Sequence, residues 1–306
     1  MISERSNNDI HAAPTAILFP GQGSQTDAMT EDVKRWCADL IEDGRELGID
    51  LVGGAGDGTQ HLQPAIYCAS IAGLRRLREE HPGVLADATC MAGHSLGEVA
   101  ALVAAGSIDE AAGLRLVATR GQLMDEAAQA SPGGMLALRA DVAFAERLAD
   151  RHELTVSNDN APEQVVLSGE DQRLERAADE ARESGRKARR LPIAGAFHSS
   201  AMQPIAAEFA EAVARCAPRT PRIPVFSSVS AAPFDDISAR LVEGLTGRVR
   251  WRETLLAMHG AGIRHFVEAG PGKVLLGLAR RTLDDPSTST IDALATAAAD
   301  LEPTNA

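Results

Sequence analysis

Short apolar runs alternate along the chain with stretches of helical period. Residues 16–19 (Ala16, Ile17, Leu18, Phe19) form an unbroken apolar run that stops at Pro20-Gly21, the pattern of a buried strand ending in a tight loop. Over residues 64–80 the apolar positions recur at helical spacing, with Tyr67, Ile71 and Leu74 at i, i+4 and i+7. Residues 88–92 read as a second buried strand. Gly93-His94-Ser95-Leu96-Gly97 follows, then an Ala/Leu-rich helix to residue 105. Asp109 is placed to cap the next helix, which runs towards residue 127. The Gly-rich stretch 53–58 reads as a flexible connection; its glycines do not fit a phosphate-cradling G-x-G-x-x-G.

Between residues 133 and 193 the pattern becomes a compact alternation. Strands are predicted at 135–138, 154–157, 165–168 and 188–193, with helices at 142–149 and 173–183 and an Asn/Asp/Pro turn between the middle strands. The order β-α-β-β-α-β is ferredoxin-like. The larger unit then resumes, with a helix over 199–216, a strand at 224–226, helices over 237–245 and 251–258, a strand at 263–267 and a helix over 272–281. The predicted organisation is a loose leader (1–13), an α/β core (14–132 and 197–283), an inserted ferredoxin-like subdomain (133–196) and a weakly specified tail (284–306).

Composition narrows the classes. Hydrophobic residues make up 44% of the chain and aromatics only 3%, so the core must be built from Ala, Leu, Val and Ile. A net charge of −13 argues against sequence-independent nucleic-acid binding. The four cysteines, Cys37, Cys68, Cys90 and Cys216, form no C-x-x-C pair, and the chain opens on no secretory leader; buried reduced thiols in a cytoplasmic protein are expected. No apolar run approaches a membrane span, and no metal site is read.

The candidate chemistry lies in G-x-S-x-G between a predicted strand and a predicted helix, the context that lifts a serine hydroxyl out of a sheet. The following helix offers N–H groups beside that hydroxyl, that of Leu96 first, for a developing oxyanion. A base is needed. His94 adjoins Ser95, and neighbours on a tight turn point apart; His11 lies in the leader. His198 stands on a loop after a strand, where α/β folds place reactive groups, while His265 lies inside a strand. The pattern favours His198 and leaves His265 as the alternative.

Phe19-Pro20-Gly21-Gln22-Gly23-Ser24-Gln25, Gly93-His94-Ser95-Leu96-Gly97-Glu98, Arg120-Gly121-x-x-Met124, Gly195-Ala196-Phe197-His198-Ser199 and Glu268-Ala269-Gly270-Pro271-Gly272-Lys273-Val274-Leu275 occur in that order. Together they resemble the malonyl-CoA:acyl carrier protein transacylases of fatty-acid and polyketide synthesis, over residues 16–281. The segment 29–63 matches only loosely. The resemblance implies an α/β-hydrolase-like core with a ferredoxin-like insertion. It implies Ser95 as nucleophile, His198 as base, and backbone N–H groups of Gln22 and Leu96 as the oxyanion hole. It also implies a backbone carbonyl near Val249-Arg250-Trp251 that orients the imidazole. Arg120 would fork two hydrogen bonds to the malonyl carboxylate, a geometry a lysine does not reproduce. Phe197 and Leu96 would favour an unbranched acyl group. No cofactor is implied, the CoA thioester being substrate; the partners would be malonyl-CoA and an acyl carrier protein, and a monomer is expected.

Other readings remain. A serine thioesterase or other hydrolase shares Ser95 and His198 but has little use for Arg120. A carrier-to-carrier or malonate-decarboxylase-associated transacylase shares the motifs, and a non-enzymatic docking module would need none of them. Carrier proteins are acidic, as this chain is, so docking requires a local basic patch. The sequence offers Arg186-Lys187-Ala188-Arg189-Arg190 and the trio Arg248, Arg250 and Arg252.

Overall fold

Strands that are apolar on both faces need helices on each side. In the computed structural model, which describes residues 13–52 and 58–294, the first half supplies β1 (Thr15–Phe19), α1 (Met29–Trp36), α2 (Ala38–Glu46), α3 (Thr59–Glu80), α4 (Pro82–Ala86), β2 (Ala88–Gly93), α5 (Gly97–Ala104) and α6 (Glu110–Ala130). Next come β3 (Gly134–Arg139), α7 (Val142–His152), β4 (Thr155–Ala161), β5 (Gln164–Gly169), α8 (Asp171–Glu183) and β6 (Lys187–Ala194). A 3-10 turn at Ser200–Ile205 leads to α9 (Ala206–Arg215), β7 (Val225–Ser227), β8 (Ala232–Pro233), α10 (Ile237–Glu243), α11 (Trp251–Gly260), β9 (His265–Glu268), α12 (Val274–Thr282) and β10 (Ser287–Thr290). The fold is mixed α/β. Most of the predicted leader, residues 53–57 of the connection and residues 295–306 of the tail lie outside the described residues.

The larger sheet has the order β10-β9-β1-β2-β7-β8 and is parallel except for β8. Its faces divide by strand alternation. Ile17 and Phe19 pack with the α3 and α5 side chains Ile66, Leu74 and Leu102, while Ala16 and Leu18 pack with Leu255 of α11 and Leu276 of α12. These four apolar residues of β1 are fully buried, and truncating Leu18 to Ala would cost about 2–5 kcal/mol. The smaller sheet is antiparallel, with the order β4-β5-β3-β6. Its helices α7 and α8 cover one face through Leu136, Leu138, Leu148, Val165, Leu167 and Leu174. No helix among the described residues is long and apolar enough to cross a membrane.

Several expectations shift. The helix predicted from residue 64 starts a turn earlier, at Thr59, with Pro64 inside it. The segment after Asp284, expected to be weakly specified, supplies β10, an edge strand parallel to β9. The largest change is at Asn158-Asp159-Asn160. Their composition predicts a turn, yet they continue β4 as buried residues. The larger unit holds this stretch in place. Asn158 bridges to Val249, the Asp159 N–H donates to the Val249 carbonyl at 2.8 Å, the Asp159 carboxylate holds Arg252 at 2.7 Å, and Asn160 bonds His94 at 2.8 Å. Turn propensity is local, and these tertiary partners override it.

Candidate active site

The turn from β2 into α5 carries Ser95 with φ 52°, a left-handed conformation that costs a non-glycine residue about 1–3 kcal/mol. Close packing imposes it. A Cβ on Gly93 would lie 2.0 Å from the Gly97 carbonyl carbon, and one on Gly97 would lie 2.0 Å from the Phe19 carbonyl oxygen. Helix and strand therefore approach through glycine on both sides of the serine. The Gln22 loop lies against the same turn, since a Cβ on Gly21 would fall 2.5 Å from the His94 carbonyl oxygen. The backbone N–H groups of Gln22 and Leu96 donate to no acceptor among the described residues.

His198 also sits at positive φ, 56°, on the loop after β6. The loop is fixed by hydroxyl donors: Ser168 Oγ bonds the Phe197 carbonyl at 2.6 Å, and Ser199 Oγ bonds that of Ala196 at 2.6 Å. This brings His198 Nε2 to 2.9 Å from Ser95 Oγ. Burial first, then the positive charge of Arg120, push the imidazole pKa down to about 3, so the ring is neutral and can accept the serine proton. Its Nδ1 is buried and makes no hydrogen bond among the described residues. The backbone carbonyls that favour its protonation belong to Gly244 and Gly247. The resemblance places the orienting carbonyl near Val249-Arg250-Trp251. There, the carbonyls of Val249 and Arg250 accept from the N–H groups of Asp159 and Thr254. His265, the alternative base, is buried in β9 with Nε2 3.0 Å from Ser289.

Arg120 projects from α6 and is 6% exposed. Its Nη1 donates to Gln63 Oε1 at 2.8 Å and its Nη2 to Ser95 Oγ at 3.0 Å. No carboxylate among the described residues lies within ion-pair distance of it. Burial depresses its pKa to about 10, opposed by the charge of Glu98, so it keeps its proton. A buried guanidinium without an anion is costly unless a ligand supplies one. Beside the site a cleft of about 940 Å³ is lined by Gln22, Thr59, Leu62, Asp125, Ile193 and Phe197. Phe197 is 3% exposed, and its ring crowds Gly195.

Two contributors were not singled out from sequence. Gln63 is fully buried; it stands one turn before Tyr67 on the apolar face of α3, so a polar residue on that face was the available signal. Asn160, masked by turn-like neighbours, holds the His94 ring next to Ser95. The basic trio is not a free patch: Arg248, Arg250 and Arg252 pair with Glu146, Glu253 and Asp159. In the other cluster Arg190 pairs with Asp171 and Arg186 lies over the Phe144 ring, while Lys187 and Arg189 are exposed and make no ion pair among the described residues.

A strained serine hydroxyl, a neutral imidazole and free N–H groups on an α/β fold are equipment for acyl transfer through an enzyme ester. Comparison with known proteins points to acyl transfer. The acyl transferase domain family matches residues 37–302. A malonyl CoA-acyl carrier protein transacylase of Synechocystis is 37% identical over 294 residues, covering 89% of this chain and 94% of its own. That of Escherichia coli K12 is 36% identical over 307 residues, covering 94% and 98%. The solved acyl-carrier-protein-S-malonyltransferase of Bartonella henselae superposes with a TM-score of 0.86 at 34% identity, over 94% of this chain and 98% of its own. The chain belongs to the acyl transferase family, among the malonyl-CoA:acyl carrier protein transacylases.

Proposed function

We propose that this chain moves a malonyl group from CoA to the phosphopantetheine thiol of an acyl carrier protein through an ester on Ser95. Ser95 Oγ attacks the thioester carbonyl as its proton passes to His198 Nε2, and the oxyanion is held by the N–H groups of Gln22 and Leu96. Collapse breaks the C–S bond, and the CoA thiolate leaves with the proton from His198. The carrier thiol then gives its proton to His198 and attacks the ester, and Ser95 departs with that proton.

The observation that carries the substrate is the contact between Arg120 Nη2 and Ser95 Oγ, 3.0 Å. A guanidinium touching the nucleophile can bind a carboxylate only a short distance from the reacting carbonyl. Malonyl, with one methylene between the two, meets that demand, and a bidentate pair would satisfy the buried charge. A hydrolase would share Ser95 and His198 but leave Arg120 unexplained. The Phe197 ring, packed at the cleft, favours an unbranched acyl group over a methyl-branched one.

In the same reading the larger sheet with its helices is an α/β-hydrolase-like core (14–132 and 197–283), and residues 133–196 are a ferredoxin-like insertion. No cofactor takes part, and the protein acts as a cytoplasmic monomer. The test is mass spectrometry of the protein after incubation with malonyl-, methylmalonyl-, acetyl- and succinyl-CoA. Malonyl should be retained in preference, on a peptide containing Ser95; preferential retention of acetyl would refute the substrate.

A further inference from the structure

A continuous chain of side-chain hydrogen bonds joins the two ends of the site. Arg120 Nη1 donates to Gln63 Oε1 at 2.8 Å, Gln63 Nε2 donates to Thr59 Oγ1 at 3.1 Å, and Thr59 Oγ1 donates to Gln22 Oε1 at 3.0 Å. Every bond points the same way, from the guanidinium to the Gln22 amide, so each donor polarises the next. Arg120, Gln63 and Thr59 are all buried. Thr59 is the first residue of α3, and Gly121, next to Arg120, lets α6 approach it: a Cβ there would stand 3.0 Å from both the Gln60 Cα and the Thr59 carbonyl oxygen. The Thr59 hydroxyl hydrogen-bonds both Gln63 and Gln22. Gln22 in turn carries one of the free backbone N–H groups.

We infer that Thr59 is a positioning residue that couples the Arg120 clamp to the Gln22 oxyanion donor, so that recognition of the acyl carboxylate and alignment of the oxyanion hole are one event. The inference rests on the malonyl-transfer reading above. Loss of the hydroxyl leaves the Gln63 amide with only the weaker Met124 Sδ acceptor at 3.3 Å, which loosens Arg120, and frees the Gln22 side chain, which loosens its backbone. A malonyl substrate suffers both losses, an acetyl substrate only the second.

The experiment compares full-length wild type, Thr59→Val and Thr59→Ser. Valine matches threonine in shape and removes only the hydroxyl; serine restores it. Acyl-enzyme formation from malonyl-CoA and from acetyl-CoA is followed by rapid quench and intact mass, with thermal midpoints confirming that each variant folds. For Thr59→Val the maximal rate constant with malonyl-CoA should fall about tenfold and that with acetyl-CoA no more than about threefold, with KM changing less than about twofold. Thr59→Ser should recover most of the malonyl rate. In an Arg120→Ala background the malonyl-specific part of the Thr59→Val effect should vanish. Equal losses for both substrates, no loss, or a serine variant as impaired as the valine one would overturn the coupling while leaving malonyl transfer standing. A wild-type protein that does not load malonyl on Ser95 would overturn both.

Discussion

Replacing Arg120 with alanine should change what the protein reads before it changes how it reacts. Arg120 is 6% exposed, bonded to Gln63 and Ser95, and has no carboxylate partner of its own among the described residues. The malonyl carboxylate would therefore complete a buried, charge-assisted pair. Truncating one member of such a pair costs about 2–5 kcal/mol, which at about 1.4 kcal/mol per decade is a loss of about thirtyfold to several thousandfold in kcat/KM for malonyl-CoA. Acetyl-CoA makes no such pair. Its rate should fall far less, and it gains from removal of an unsatisfied cation. Arg120→Lys should not rescue, because an ammonium does not reproduce the planar fork. The assay is acyl-enzyme formation from both thioesters at matched concentrations. If malonyl and acetyl rates fell by the same factor, Arg120 would be a scaffold for Ser95 and the carboxylate argument would fail.

Three further outcomes follow from the same geometry. His198, held near 3 by burial and by Arg120, must be neutral to act as base, so acylation should stay flat through neutrality and decline only well below pH 6.5; in Arg120→Ala, measured with acetyl-CoA, the acid limb should move up, and a wild-type limb at 6.5 would contradict the burial argument. Burial raises Glu98 and Glu268 from 4.5 to about 7, so the folded state holds their protons longer and stability falls as pH rises from about 4.5 to 7; Glu98→Gln should flatten that slope by on the order of 1–3 kcal/mol in denaturant titrations, and an unaltered slope would refute the assignment. Lys187 and Arg189 line a groove with Arg281 and with Arg139, which pairs with Glu163, so reversing the two exposed charges to glutamate should slow transfer to an acidic carrier and reduce its salt dependence while sparing acyl-enzyme formation; an unchanged carrier rate across a salt series would place the dock elsewhere.

The elements whose signals are local were legible in the sequence. Apolar continuity marked β1 and β2, helical period marked α3, and the Asp109 side chain does cap α6, accepting from the Ala112 N–H at 2.7 Å. The serine turn was legible because glycine is required at fixed offsets from Ser95, a constraint written into neighbouring residues. What depended on distant partners was not. Asn158-Asp159-Asn160 look like a turn until Val249, Arg252 and His94 are brought to them. Arg248, Arg250 and Arg252 look like a patch until their acids arrive from other elements or the next helical turn. The carbonyls beside His198 come from a loop whose conformation no residue type dictates. Gln63 and Thr59 acquire meaning only through Arg120, 57 positions beyond Gln63.

The account turns on Ser95. Protein incubated with malonyl-CoA, quenched in acid and digested should carry malonyl on the peptide containing Ser95, the label should discharge on addition of an acyl carrier protein in its phosphopantetheine form, and Ser95→Ala should carry none. Label retained by Ser95→Ala, or found at Ser24 or Ser199 in the wild type, would contradict it.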